Sequence, residues 1–221
     1  MLISKSCIIF TTLFYFVNFP VYANDVDITS MLVDLRNKYV SSELTANAME
    51  KGKQRALLCS QCHGIDGNSV KFDVPNLASQ NSIYLLKQIE KFADGRRKNY
   101  VMNALSKELS AEDKVNLTIF YSNMPVKQGK SNTQLAIKGK HLYESKCGAC
   151  HGEKGIGNVD YARLAGQKIQ YVEATLSRFR KNTKAATVNN VKRQSFIMEE
   201  VTKDLSDIEI KSLAAYVGQL H

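Results

Sequence analysis

The sequence predicts an all-α protein built as two tandem domains, on three observations. A set of short motifs occurs twice along the 221 residues at a nearly constant offset. In each copy, apolar residues recur at helical spacing behind a capping sequence. Neither copy shows the alternation expected of a strand.

The elements follow in chain order. Lys5 is a short basic region, Ile8 to Val17 is apolar, and Val21-Tyr22-Ala23 puts small residues at the −3 and −1 positions of a cleavage site. Asn18 and Pro20 break the apolar run short of the roughly 20 residues that span a bilayer. Residues 1–23 therefore read as a cleavable export signal, with the mature chain beginning at Asn24 in the periplasm. Cys7 precedes the apolar run and is lost with it. Residues 24–49 have no counterpart in the second half. Ile28, Met31, Leu32, Leu35 and Tyr39 share one helical face there, which predicts an extra amphipathic segment. It packs on its own domain, or it docks to a partner or peripherally to a membrane surface.

The repeat then begins, giving a first domain over 50–128 and a second over 129–221. Lys51-Gly52-Lys53 returns as Lys138-Gly139-Lys140, Cys59-Ser-Gln-Cys-His-Gly64 as Cys147-Gly-Ala-Cys-His-Gly152, and Asn76-Leu-Ala-Ser-Gln80 as Arg163-Leu-Ala-Gly-Gln167. Tyr84 and Phe92 are answered by Tyr171 and Phe179. Met102 to Asp113 is answered by Met198 to Glu209, after a nine-residue gain in the second copy. Each copy predicts a leading helix, a loop, a helix through the Tyr and Phe pair, a second loop and a closing helix. The closing helices start at the capping boxes Ser110-Ala-Glu-Asp113 and Ser206-Asp-Ile-Glu209. Leu117, Phe120 and Tyr121 line one face of the first, and Leu213, Tyr216 and Val217 one face of the second. Pro125 to Thr133 reads as the linker.

Two thiols and an imidazole within five residues narrow the chemistry. A zinc knuckle and a thioredoxin-like pair both use C-x-x-C, but only covalent haem attachment explains the adjacent histidine. Two sulfurs form thioethers to the haem vinyl groups, and the imidazole takes one axial position on iron. Cys59, Cys62, Cys147 and Cys150 are then fully used by two c-type haems, with His63 and His151 as proximal ligands. No cysteine is left for a disulfide or a nucleophile. A domain of about 90 residues has a thin core, to which haem adds apolar surface.

Met102 and Met198 are the only methionines that coincide between the copies, which makes them the candidate second axial ligands. Met124 aligns with Leu220 and reads as core filling. Met31 and Met49 have no partner in the second copy. His141 and His221 read as solvated.

With these residues placed, the chain from about Lys51 onward resembles the cytochrome c4 family of dihaem proteins made of two fused class I cytochrome c domains. The resemblance implies an all-α fold of two cytochrome c-like domains, each wrapped around one covalent haem. It also implies Cys59 and Cys62 with His63 and Met102 on one haem, and Cys147 and Cys150 with His151 and Met198 on the other. In that family the carbonyl of a proline usually holds the proximal Nδ1 proton. Pro75 stands at that place in the first copy, and Ala162 in the second.

His/Met ligation fills both axial positions, so the expected function is single-electron transfer without catalysis. The partners would be redox proteins: a quinol-oxidising complex with a terminal oxidase or reductase, or, alternatively, the catalytic chain of a dehydrogenase such as a flavocytochrome c sulfide dehydrogenase. Thiosulfate oxidation by relatives with a cysteine ligand is disfavoured because no cysteine is spare. The net charge of +9 reads as partner steering and not nucleic-acid binding. From Arg178 to Arg193 there are six basic residues and no acidic one, a candidate docking surface beside the second methionine.

Overall fold

The computed structural model describes residues 28–127, 129, 132–182 and 195–220. The expected export signal, most of the second copy's insertion and His221 lie outside the described residues. So do Lys184, Lys192 and Arg193 of the basic run.

Among the described residues the regular elements are all helices, joined by loops. The first copy contains α1 (Ile28–Val40), α2 (Ser42–Arg55), α3 (Ser60–His63), α4 (Ser82–Ala93), α5 (Tyr100–Lys107) and α6 (Ala111–Ser122). The second contains α7 (Thr133–Lys146), α8 (Gly148–His151), α9 (Ile169–Asn182), α10 (Phe196–Thr202) and α11 (Asp207–Gln219).

In each copy the leading helix crosses the closing helix at a glycine. A β-carbon on Gly52 would lie 2.3 Å from the Asn116 carbonyl oxygen, and one on Gly139 would lie 2.0 Å from that of Ser212. Only hydrogen fits at either crossing. Both expected capping boxes form, with Ser110 and Asp113 exchanging bonds ahead of α6 and Ser206 and Glu209 ahead of α11. Ala56, Leu85, Leu117, Phe120 and Tyr121 make the first core. Tyr143, Val172, Leu205, Ile210, Leu213 and Val217 belong to the second.

Two expectations change. The unmatched segment is shorter than residues 24–49, because α2 begins at Ser42 behind the cap Ser41 and is the leading helix that α7 repeats. Only α1 is extra. Its Met31 and Leu35 are buried with Ala48, Leu86, Val115 and Ile119, so α1 packs on its own domain. The stretches carrying Met102 and Met198, expected as loops, are the short helices α5 and α10. Local caps explain them: Asn99 and Ser195 each accept the amide of the methionine three residues on.

Candidate haem sites

Both C-x-x-C-H motifs coil into a single turn, α3 or α8, that ends on the histidine. Gly64 and Gly152 then reverse the chain with φ of 78° and 80°, a conformation that glycine adopts without strain. The turn brings the two thiols of each motif onto one segment with its imidazole. His63 and His151 are each only 8% exposed.

The imidazoles are held in the same way. Nδ1 of His63 lies 2.9 Å from the Pro75 carbonyl, and Nδ1 of His151 lies 2.9 Å from the Ala162 carbonyl. Loss of the proline in the second copy leaves this contact unchanged. With Nδ1 engaged, Nε2 is the nitrogen that would ligate a metal. Burial lowers the His63 pKa against the opposing pull of the Pro75 carbonyl, favouring the neutral form a ligand requires.

The four cysteines are only partly buried, and none pairs with another in a disulfide. As thiols, Cys59 and Cys147 would both be raised by burial, Cys147 to about 11. A thioredoxin-like pair needs a lowered thiol, so the redox reading loses support. Among the described residues there is no group of three or more His, Cys, Asp and Glu that could hold a metal ion, as a zinc knuckle would need.

The surroundings fit haem. Leu57, Leu58, Ile65, Val70 and Phe72 near the first motif, and Ile156 and Val159 after the second, are exposed apolar side chains available to a macrocycle. Arg163 Nε is buried without a hydrogen-bond partner, and desolvation lowers the Arg163 pKa, so an anionic group such as a propionate would suit it.

Met102 and Met198 are both half-buried, each at the third position of its helix with its amide tied to the cap. The residue after each methionine returns a bond, since Asn103 Oδ1 accepts from Asn99 N–H and Glu199 Oε1 from Ser195 N–H. The caps in these supports, N-x-x-M-N and S-x-x-M-E, stand three residues ahead of each methionine and were not anticipated from the sequence. Met124 packs against the first core as expected, Met31 is core, and His141 is exposed.

The two sites meet across the domain interface. Gln167 accepts from Asn76 N–H at 2.7 Å and donates to Asn76 O at 3.0 Å. Gln80 accepts from Arg163 N–H at 2.7 Å and donates to Arg163 O at 3.0 Å. Each glutamine ends one copy of the repeated pentapeptide and grips the residue that begins the other. Arg97 also reaches Tyr171 across the interface, and Lys87 pairs with Asp160. The glutamines had no local signature as interface residues, because a buried amide in a sequence does not name its partner.

The cytochrome c family model matches residues 136–221. Cytochrome c4 of Azotobacter vinelandii is 31% identical over 189 residues, 77% of this chain and 88% of the relative. A protein of Stutzerimonas stutzeri (strain A1501) named thiosulfate dehydrogenase electron acceptor is 30% identical over 182 residues, 74% of this chain and 81% of its own length. The crystal structure of reduced recombinant cytochrome c4 from Pseudomonas stutzeri superposes with a TM-score of 0.69 at 29% identity, covering 78% of this chain and 98% of that one. The Cys59/Cys62 and Cys147/Cys150 pairs accordingly carry two covalent c-type haems. Two cytochrome c folds in tandem, two haem motifs and relatives matched over most of their length lead to one conclusion: the chain belongs to the cytochrome c4 family of dihaem electron-transfer proteins.

Proposed function

We propose that the protein is a periplasmic carrier that passes single electrons from a quinol-oxidising respiratory complex to a terminal oxidase or reductase, and is not itself an enzyme. His63 and Met102 are the axial ligands of the first domain, His151 and Met198 those of the second. Residues 1–23 are the export signal, and the two haem units divide near residue 128. The observation supporting this reading is the matched placement of Met102 and Met198, each at the third position of a capped helix in its copy. Bound haem supplies a one-electron iron couple. The protein's residues keep the ligand imidazoles oriented through Nδ1, and a His/Met pair leaves no coordination position for a substrate.

Potentiometric titration of the purified holoprotein tests the proposal. Two one-electron waves, with no ligand-binding change on adding carbon monoxide to the reduced form, support it. Carbon monoxide binding at either iron in the native state would refute closed ligation.

A second reading draws on the relative named thiosulfate dehydrogenase electron acceptor. On it, the donor is a sulfur-compound dehydrogenase, and the protein is that enzyme's redox subunit. Purification from the native source separates the two: a dehydrogenase that co-elutes stoichiometrically favours the subunit, and an isolated cytochrome with salt-sensitive partners favours the carrier.

A further inference from the structure

The bond that holds each proximal histidine and the bond made by the other domain's glutamine share one peptide group. Pro75 C=O faces His63 Nδ1, and Asn76 N–H, across the same C–N bond, donates to Gln167 Oε1. In the second copy Ala162 C=O faces His151 Nδ1, and Arg163 N–H donates to Gln80 Oε1. Gln80, Gln167, Asn76 and both histidines are buried, so these chains run where water does not screen them.

We propose that Gln80 and Gln167 are crossed positioning residues, each setting the reduction potential of the haem in the opposite domain. Donation from the peptide N–H to the glutamine oxygen draws electron density toward the carbonyl oxygen, making it a better acceptor for the histidine Nδ1–H. A better acceptor gives the imidazole more imidazolate character, which stabilises ferric iron and lowers the potential. Each glutamine also donates to the carbonyl of the residue it grips, in the next peptide group, so that residue is held at both its N–H and its C=O. The interface is thereby part of both proximal ligand supports.

The inference rests on His63 and His151 being the proximal ligands, and the experiment reads that separately. In reduced, 15N-histidine-labelled holoprotein, the ring protons of both histidines should be strongly ring-current shifted; their absence would overturn the ligand reading. With that established, Gln167→Met keeps side-chain volume and removes both bonds to Asn76, together with the one Lys168 N–H makes to the same oxygen. It should shift the His63 Nδ1–H resonance upfield and raise the potential of the first haem, leaving His151 and the second haem in place. Gln80→Met should give the mirror result. Intact ring-current shifts with a response in the variant's own domain, in both domains equally or in neither would overturn the relay alone. Should either variant fail to fold, the parent protein decides: strong protection of the Asn76 and Arg163 amides from hydrogen exchange supports the relay, and exchange at the rate of a free loop overturns it.

Discussion

Val115 and Lys211 hold the same position in the two closing helices, yet Val115 is fully buried and Lys211 is exposed. Leu86 on α4 and Glu173 on α9 repeat the contrast, Leu86 being fully buried and Glu173 only partly so. The first domain carries an apolar patch that the second replaces with charge, and α1 covers it. Leu35→Ala should therefore destabilise the first domain by about 2–5 kcal/mol. Denaturant unfolding of the holoprotein measures this. A midpoint equal to that of the parent would show that α1 adds no stability.

The glycine crossings predict a second effect. Gly52→Ala or Gly139→Ala forces the leading helix away from the backbone of the closing helix. Helix propensity favours alanine by about 1 kcal/mol, but overpacking costs about 1–3 kcal/mol, and no flexible side chain can move aside because the nearest atom is a carbonyl. Both variants should melt lower than the parent; an increase in Tm in either would mean that the crossing is looser than these contacts imply.

For the ligands, Met102→Ala and Met198→Ala should each remove about half of the weak near-infrared absorbance of the oxidised protein. Pyridine haemochrome should still report two c-type haems in each, because thioether attachment needs only the cysteines. An unaltered near-infrared band in both variants would exclude these methionines.

Acid should loosen the join between the first domain and the linker. Burial opposes ionisation of Asp66, but its bonds with Lys127 and Asn68 outweigh this and lower its pKa below the usual carboxylate value. A carboxylate with a depressed folded pKa contributes stability above its unfolded value, and that contribution is lost as pH falls through the folded one. The exposed Lys127 limits the effect to less than about 1 kcal/mol. Asp66→Asn should thus be slightly less stable than the parent at pH 7 and indistinguishable from it near pH 2. A difference that persists at pH 2 would point to a contact other than charge.

The basic run divides by role. Arg180 donates to the Leu205 carbonyl and pairs with Asp207, so it braces the start of α11. Arg180→Glu should lower stability. Reversing Lys181, Lys184 and Lys192 together should leave both haem spectra intact and slow electron exchange with an acidic partner at low salt, the difference shrinking as the Debye length falls to about 8 Å near 0.15 M. Equal rates for parent and triple variant at low salt would place docking elsewhere.

Much of this was legible because the chain states its pattern twice. Comparing copies isolated Met102 and Met198 from the other methionines, and the capping boxes at Ser110 and Ser206 located the closing helices. The start of α2 was hidden because Ser41 and Ser42 follow α1 after almost no loop, so two helices read as one unmatched segment. The caps Asn99 and Ser195 escaped notice because different residues do the same work. The glutamine contacts were illegible for another reason: Gln80 and Gln167 repeat in sequence, but their partners lie 83 and 91 residues away and satisfy burial only once both domains are folded.

The reciprocal glutamine grip has the form of an isologous interface, in which one surface patch meets its own equivalent about a two-fold axis. Two separate copies of such a domain would associate only as far as their concentration allowed. Joined through the segment after Pro125, the same contacts form within one molecule, at an effective concentration on the order of millimolar. Pairing of the two haem domains is therefore independent of dilution, and both redox centres stay together at any protein concentration.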